Sequence, residues 1–149
     1  MTAPVRFRGL CRAIAVLAIA GVAVSAVSLY HHHGTSKTSY CDIGESFNCD
    51  LVNRSAYSTV AGVPVALVGI VGYLLILSLA TVYREKAETR LLLLLASSGG
   101  LGFAAYLTYI EARILRAWCI LCLSSLALIA AITALSIVLA QKLYGEDRL

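Results

Sequence analysis

Charge is what this sequence has least of. Asp, Glu, Lys and Arg make up 13% of its 149 residues, against roughly a quarter in a soluble domain. Four stretches carry no such residue at all: 13–33, 55–83, 91–110 and 117–141. A helix needs ~20 apolar residues to cross a bilayer, and each stretch supplies about that many. This leaves no room for a soluble domain. Alternation of apolar and polar residues, the mark of a strand, is missing too. The runs are continuous and rich in Ala, Leu, Ile and Val. Backbone groups in lipid must be satisfied within the spanning structure, so only helices or closed barrels can cross. The sequence also shows no internal repeat and no low-complexity segment. The expectation is an all-α membrane protein, a four-transmembrane-helix bundle forming a single domain over 1–149. Its spans fall at about 10–30, 64–83, 91–110 and 117–141, with an outer loop at 31–63.

The first span is longer than the ~7–15-residue apolar core of a cleaved signal peptide. It has no clear small-residue cleavage site before His31, so it reads as a retained helix. The net charge of +4 is informative through its distribution. Arg6, Arg8 and Arg12 lie before the first span, Arg84, Lys86 and Arg90 between the second and third, and Lys142 and Arg148 after the fourth. These eight of the twelve basic residues share one face. The positive-inside rule then places both termini in the cytoplasm.

The outer loop opens with His31, His32 and His33. Such a run can bind metal, but no Asp, Glu or Cys stands at ligand spacing beside it, so a solvated juxtamembrane patch is the simpler reading. Cys41 and Cys49 follow, seven residues apart, with Gly44 able to ease a turn between them. Outside the membrane such a pair persists as a disulfide, and a structural staple is its plainest role. A short interfacial helix is expected at about 55–61, able to roof a cavity between spans. Pro64 suits the first turn of the next helix. Gly69 and Gly72 in the second span allow another helix to pack closely. Ser97, Ser98, Gly99, Gly100 and Gly102 in the third do the same, or leave room for a ligand. Tyr106 and Tyr109 read as interfacial anchors.

Trp118 and Cys119 open the fourth span. Cys119 and Cys122 stand three apart, on one face of a helix, at the same membrane surface as Cys41 and Cys49. Thiol–disulfide exchange needs a thiolate. A helix N-terminus lowers a cysteine pKa through its unpaired N–H groups, and Arg113 and Arg116 stand near enough in sequence to add to the field. Four cysteines could instead hold zinc, or form two static disulfides. The 41/49 spacing is loose for zinc, however, and a site at the lipid boundary is unusual. Cysteines serving only as small apolar residues would not gather four of five on one face. The fifth, Cys11, reads as a buried or idle thiol. A redox relay is the reading the pattern favours, with one pair open to a soluble thiol protein and the other at lipid depth.

The residues Cys41-Asp42-Ile43-Gly44 through Cys49, Ser55-Ala56-Tyr57-Ser58, Gly62-Val63-Pro64-Val65-Ala66-Leu67-Val68-Gly69 through Gly72-Tyr73, and Trp118-Cys119-Ile120-Leu121-Cys122 resemble the vitamin K epoxide reductase family in its bacterial form. The likeness covers about 10–141. It implies a four-helix bundle around a quinone (ubiquinone or menaquinone) that serves as electron acceptor. Cys119 and Cys122 would be the active-site pair, with Cys122 engaging the quinone. Cys41 and Cys49 would be the shuttle pair, fed by a thioredoxin-fold protein. Ser55 matches a serine near the quinone, or is a helix N-cap. Vertebrate members carry an asparagine and a tyrosine where Val65 and Leu126 stand nearest here. That departure favours quinone reduction over epoxide reduction. Many bacterial members carry a fused thioredoxin-like domain, whereas this chain stops at Leu149, so a separate periplasmic, DsbA-like partner is expected. The implied activity is a thiol:quinone oxidoreductase of the inner membrane supporting disulfide formation. The alternatives are an epoxide reductase using the same cysteines and a non-catalytic metal-binding membrane protein.

Overall fold

A computed structural model of the chain describes residues 5–34, 44, 46–146 and 148. Cys41, on which part of the relay reading rests, lies outside the described residues. Five α-helices appear among those described: α1 (Val5–His33), α2 (Cys49–Asn53), α3 (Val65–Thr81), α4 (Ala87–Ile110) and α5 (Ile120–Glu146). The four longer ones pack into a bundle in which α1 lies against α3 and α5, and α4 against α5 and α3. Three helical segments, 5–33, 87–115 and 120–142, are long and apolar enough to cross a membrane. The expected second span is α3, which has 17 residues. At 1.5 Å per residue it reaches about 26 Å, a little less than a ~30 Å hydrocarbon core.

The bundle is apolar on both sides of its helices. Inside, Phe7, Cys11, Ile14 and Ala18 of α1 meet Ile76 and Leu79 of α3, Leu93 of α4, and Ile129 and Ile132 of α5. Cys11 is a free thiol in this core. Outside, Val16, Ile19, Val71, Leu75 and Leu95 are more than half exposed. Apolar side chains facing outward along whole helices suit lipid, where no polar coat is needed. Tyr106 and Tyr109 are also exposed, near the end of α4, as interfacial anchors would be.

Small residues set the closest approaches. A Cβ on Gly21 of α1 would overlap the Tyr73 ring of α3. The missing side chain lets Tyr73 cross the bundle and donate to the Ser125 carbonyl of α5 at 2.9 Å. Gly69 of α3 meets Ser25 of α1, and Gly100 of α4 meets Ile129 of α5. By contrast, a Cβ at Gly72, Gly99 or Gly102 would meet nothing within 4 Å. The small-residue segment of α4 therefore serves packing at one position and leaves open space at others.

Several boundaries differ from the sequence expectation. Helix α1 begins at Val5 and runs through the histidines. The run is the final turn of that helix, with His31 buried, His32 half-buried and only His33 exposed, so the expected solvated patch is reduced to one residue. The expected interfacial helix at 55–61 is replaced by three smaller elements. These are α2, a 3₁₀ turn at Ala56–Ser58, and a hairpin of β1 (Thr59–Val60) with β2 (Val63–Pro64). The hairpin turns on Ala61 and Gly62, both at positive φ, the turn whose twist matches paired strands. Alanine is an unusual occupant of that position, which is why the hairpin is hard to read in advance. Pro64 caps α3 instead of occupying its first turn. The short loop expected after α4 is a π-helical turn, Glu111–Leu115, ended by Arg116 at φ 51°.

The Gly21–Tyr73 fit gives a test. Gly21→Ala should destabilise the protein by about 1–3 kcal/mol, the usual effect of overpacking, seen as a lower melting temperature in detergent. Gly102→Ala, with open space around it, should leave stability unchanged or slightly raised.

Candidate active site

Two backbone hydrogen bonds organise this end of the bundle. Trp118 N–H donates to the Ser46 carbonyl at 2.8 Å, and Asn48 N–H donates to the Trp118 carbonyl at 3.1 Å. Together they make a parallel bridge between Phe47 and Trp118. The bridge lays the outer loop against the residues that lead into α5. Asn48 then caps α2, its Oδ1 accepting from Leu51 N–H at 2.9 Å. Cys49, the next residue, is the first of that helix.

The consequence is a contact between sulfurs 70 residues apart in sequence. Cys119 Sγ lies 3.4 Å from Cys49 Sγ. Cys49 is disulfide-bonded, while Cys119 and Cys122 are free. Cys49 and Cys119 are each 0% exposed. Val52, Ala117, Leu115, Ile120 and Leu121 close around them in a second apolar cluster, separate from the main core. Reacting atoms held at ~3–3.5 Å are near attack distance. The structure thus brings together three of the four expected cysteines.

Cys119 stands just before the helix. Its carbonyl accepts the first α5 bond, from Leu123 N–H at 3.0 Å. The Cys122 side chain and the backbone N–H groups of Leu121 and Cys122, at the start of α5, face its sulfur. Arg113 and Arg116, expected to add to the field there, are exposed instead.

Behind Cys122 the bundle encloses a cavity of about 400 Å³, within the range of small-molecule sites. Its walls come from all four long helices and are mostly apolar, with Gly72, Gly99 and Phe103 among them. Its roof is polar and comes from α2, the 3₁₀ turn and the end of α1. Ser28 Oγ donates to Asn53 Oδ1 at 2.7 Å. His32 Nδ1 lies against the Asn53 carbonyl. Asn53 itself is buried, and its Nδ2 has no partner among the described residues. Ser55 lines the cavity, and its Oγ donates to the Val52 carbonyl at 2.8 Å. It precedes the 3₁₀ turn without making a side-chain cap bond. Val65 also lines the cavity. Among the described residues no group of three or more His, Cys, Asp or Glu is placed to hold a metal.

Two residues of the site escape a reading of the sequence. Asn53 looks like an ordinary loop polar residue until burial isolates its amide. Glu111 is 2% exposed, lines the cavity and accepts the Cys119 N–H through Oε2 at 3.1 Å. One signal was there: Glu111 is the only acid between Glu88 and Glu146.

The sequence pattern of the vitamin K epoxide reductase family matches residues 12–137. The chain belongs to that family. Its members are membrane-bound oxidoreductases that work on thiols and quinones, typically with a thioredoxin-like partner. A comparison with curated proteins finds no match.

The bridge at Phe47 and Trp118 can be broken. Trp118→Pro removes the N–H that bonds Ser46. A lost bond of about 1.4 kcal/mol is a tenfold change in population. In a Cys41→Ser, Cys122→Ser background, mild oxidation should join Cys49 to Cys119, and Trp118→Pro should slow that cross-link about tenfold. Peptide mapping by mass spectrometry reads the product.

Proposed function

We propose that this protein is a membrane thiol:quinone oxidoreductase that reoxidises a separate periplasmic thioredoxin-fold, DsbA-like protein and so supports disulfide formation. The observation that carries the reading is the 3.4 Å contact of Cys49 with Cys119, beside a cavity lined by Cys122. The whole chain acts as one membrane domain. Helix α3 crosses with the other three, both termini are cytoplasmic, and the cysteines face the outside of the inner membrane.

The relay runs inward. Cys49 is fully buried, so a bulky partner meets Cys41 first. The reduced partner opens the Cys41–Cys49 disulfide and leaves oxidised, with two electrons now on the loop pair. The Cys49 thiolate attacks Cys119 of a Cys119–Cys122 disulfide and frees the Cys122 thiolate. Cys41 then attacks Cys49, which restores the loop disulfide and frees Cys119. The dithiol passes two electrons and two protons to the quinone and closes again as a disulfide.

The cavity suits a quinone. Its long apolar walls fit a ring and the start of an isoprenoid tail, and the orphaned Asn53 Nδ2 supplies a donor for a ring carbonyl. Ser55 sits on the same roof. Quinone reduction is favoured over epoxide reduction because Val65 and Leu126 offer no hydrogen-bonding side chain.

The test is quinone reduction by the purified protein in detergent, driven by a reduced DsbA-like protein and followed by absorbance. Cys122→Ser and Cys41→Ala should each abolish turnover. Full activity in Cys122→Ser would sink the assignment. Gly72→Leu, which fills open cavity space, should raise the quinone KM with little effect on Cys49–Cys119 exchange.

A further inference from the structure

Closing a dithiol into a disulfide sheds two protons, and here Cys119 is fully buried while Cys122 faces the mostly apolar cavity. A carrier must therefore stand inside the site. Among the described residues, Glu111 is the only carboxyl lining the cavity. One of its oxygens is fixed by the Cys119 N–H. The other, Oε1, is buried, and the carboxyl interacts through its side chain with the Cys122 thiol.

The other titratable groups on the cavity wall are placed differently. His32, from α1, turns Nδ1 to the Asn53 carbonyl. Tyr73, from α3, bonds Ser125. Tyr57 is more than one-third exposed. The titratable groups facing the Glu111 carboxyl are the thiols of Cys119 and Cys122, from the start of α5. Arg113 and Arg116, on its own turn and just after, are exposed.

We propose that Glu111 is the proton-transfer residue of the Cys119–Cys122 dithiol, a role that rests on the thiol-to-quinone reading above. Its carboxylate takes the proton of Cys122 as the thiolate forms. Sulfur closes on sulfur, and the electron pair released goes to the quinone. The two protons shed by the thiols end on the two quinone oxygens, one of them handed on by Glu111. The sum is dithiol plus quinone giving disulfide plus quinol, and Glu111 finishes as it began. The π-helical turn at Glu111–Leu115 is the element that carries the carboxyl; such turns recur at functional sites.

Glu111→Gln separates this role from simple support of Cys119. The amide oxygen can still accept the Cys119 N–H, but the group carries no exchangeable acid proton. The full-length protein, pre-reduced in detergent, is mixed with a short-tailed ubiquinone analogue and single-turnover quinone reduction is followed across pH. Glu111→Gln should slow this step by about 10²–10³-fold, the usual scale of general acid–base catalysis, and flatten its pH dependence. The quinone KM and the Cys49–Cys119 cross-link yield should stay near wild type. Glu111→Asp, which keeps a titrating group, should recover part of the rate together with a pH-dependent profile. The proposal is overturned if Glu111→Gln keeps the wild-type rate and profile, or is slowed equally at every pH. Should Glu111→Gln fail to fold, Glu111→Asp decides: a profile unchanged from wild type overturns the role. Wild-type protein that reduces no quinone would instead remove the thiol-to-quinone reading itself.

Discussion

The pairing of Phe47 with Trp118 is the constraint on which the site depends. Two backbone hydrogen bonds convert a polar loop into a lid of defined register over the start of α5. The bridge also explains why Trp118 is followed directly by a buried cysteine. Its backbone is committed to the loop, and the chain enters the helix only at Ile120.

The molecule holds two apolar clusters with different tasks. The larger joins the four long helices and is shaped by close approaches such as Gly21 to Tyr73. The smaller surrounds Cys49 and Cys119 and keeps water from the sulfurs. Between them lies the cavity, apolar where it borders the helices and polar where α2 and the 3₁₀ turn cover it. Exclusion of water strengthens each electrostatic contact inside. That is why a single carboxyl and a single amide can matter in so apolar a place.

Much of the fold was legible. The charge-free stretches marked all four long helices, because a lipid-exposed helix needs apolar residues on every side. Their ends were less legible. The histidines continue α1, since nothing in a His run stops a helix. The hairpin at Thr59–Pro64 turns on an alanine at positive φ, a conformation its side chain disfavours. Of the candidate site, the sequence singles out Cys119 and Cys122 by their spacing, and Ser55 by the motif around it. It does not single out Asn53 and Glu111, because what marks them is burial.

The sequence by itself determined that this is a helical membrane protein of the vitamin K epoxide reductase family with cysteines gathered toward one end. Those properties follow from composition and local spacing, which act along the chain. Tertiary structure alone decided which loop cysteine meets Cys119, what lines the cavity, and that a lone glutamate stands beside the thiols. Contacts between Cys49 and Cys119 or between Glu111 and Cys119 depend on how separate helices and a loop are docked, and no local rule of sequence encodes that geometry.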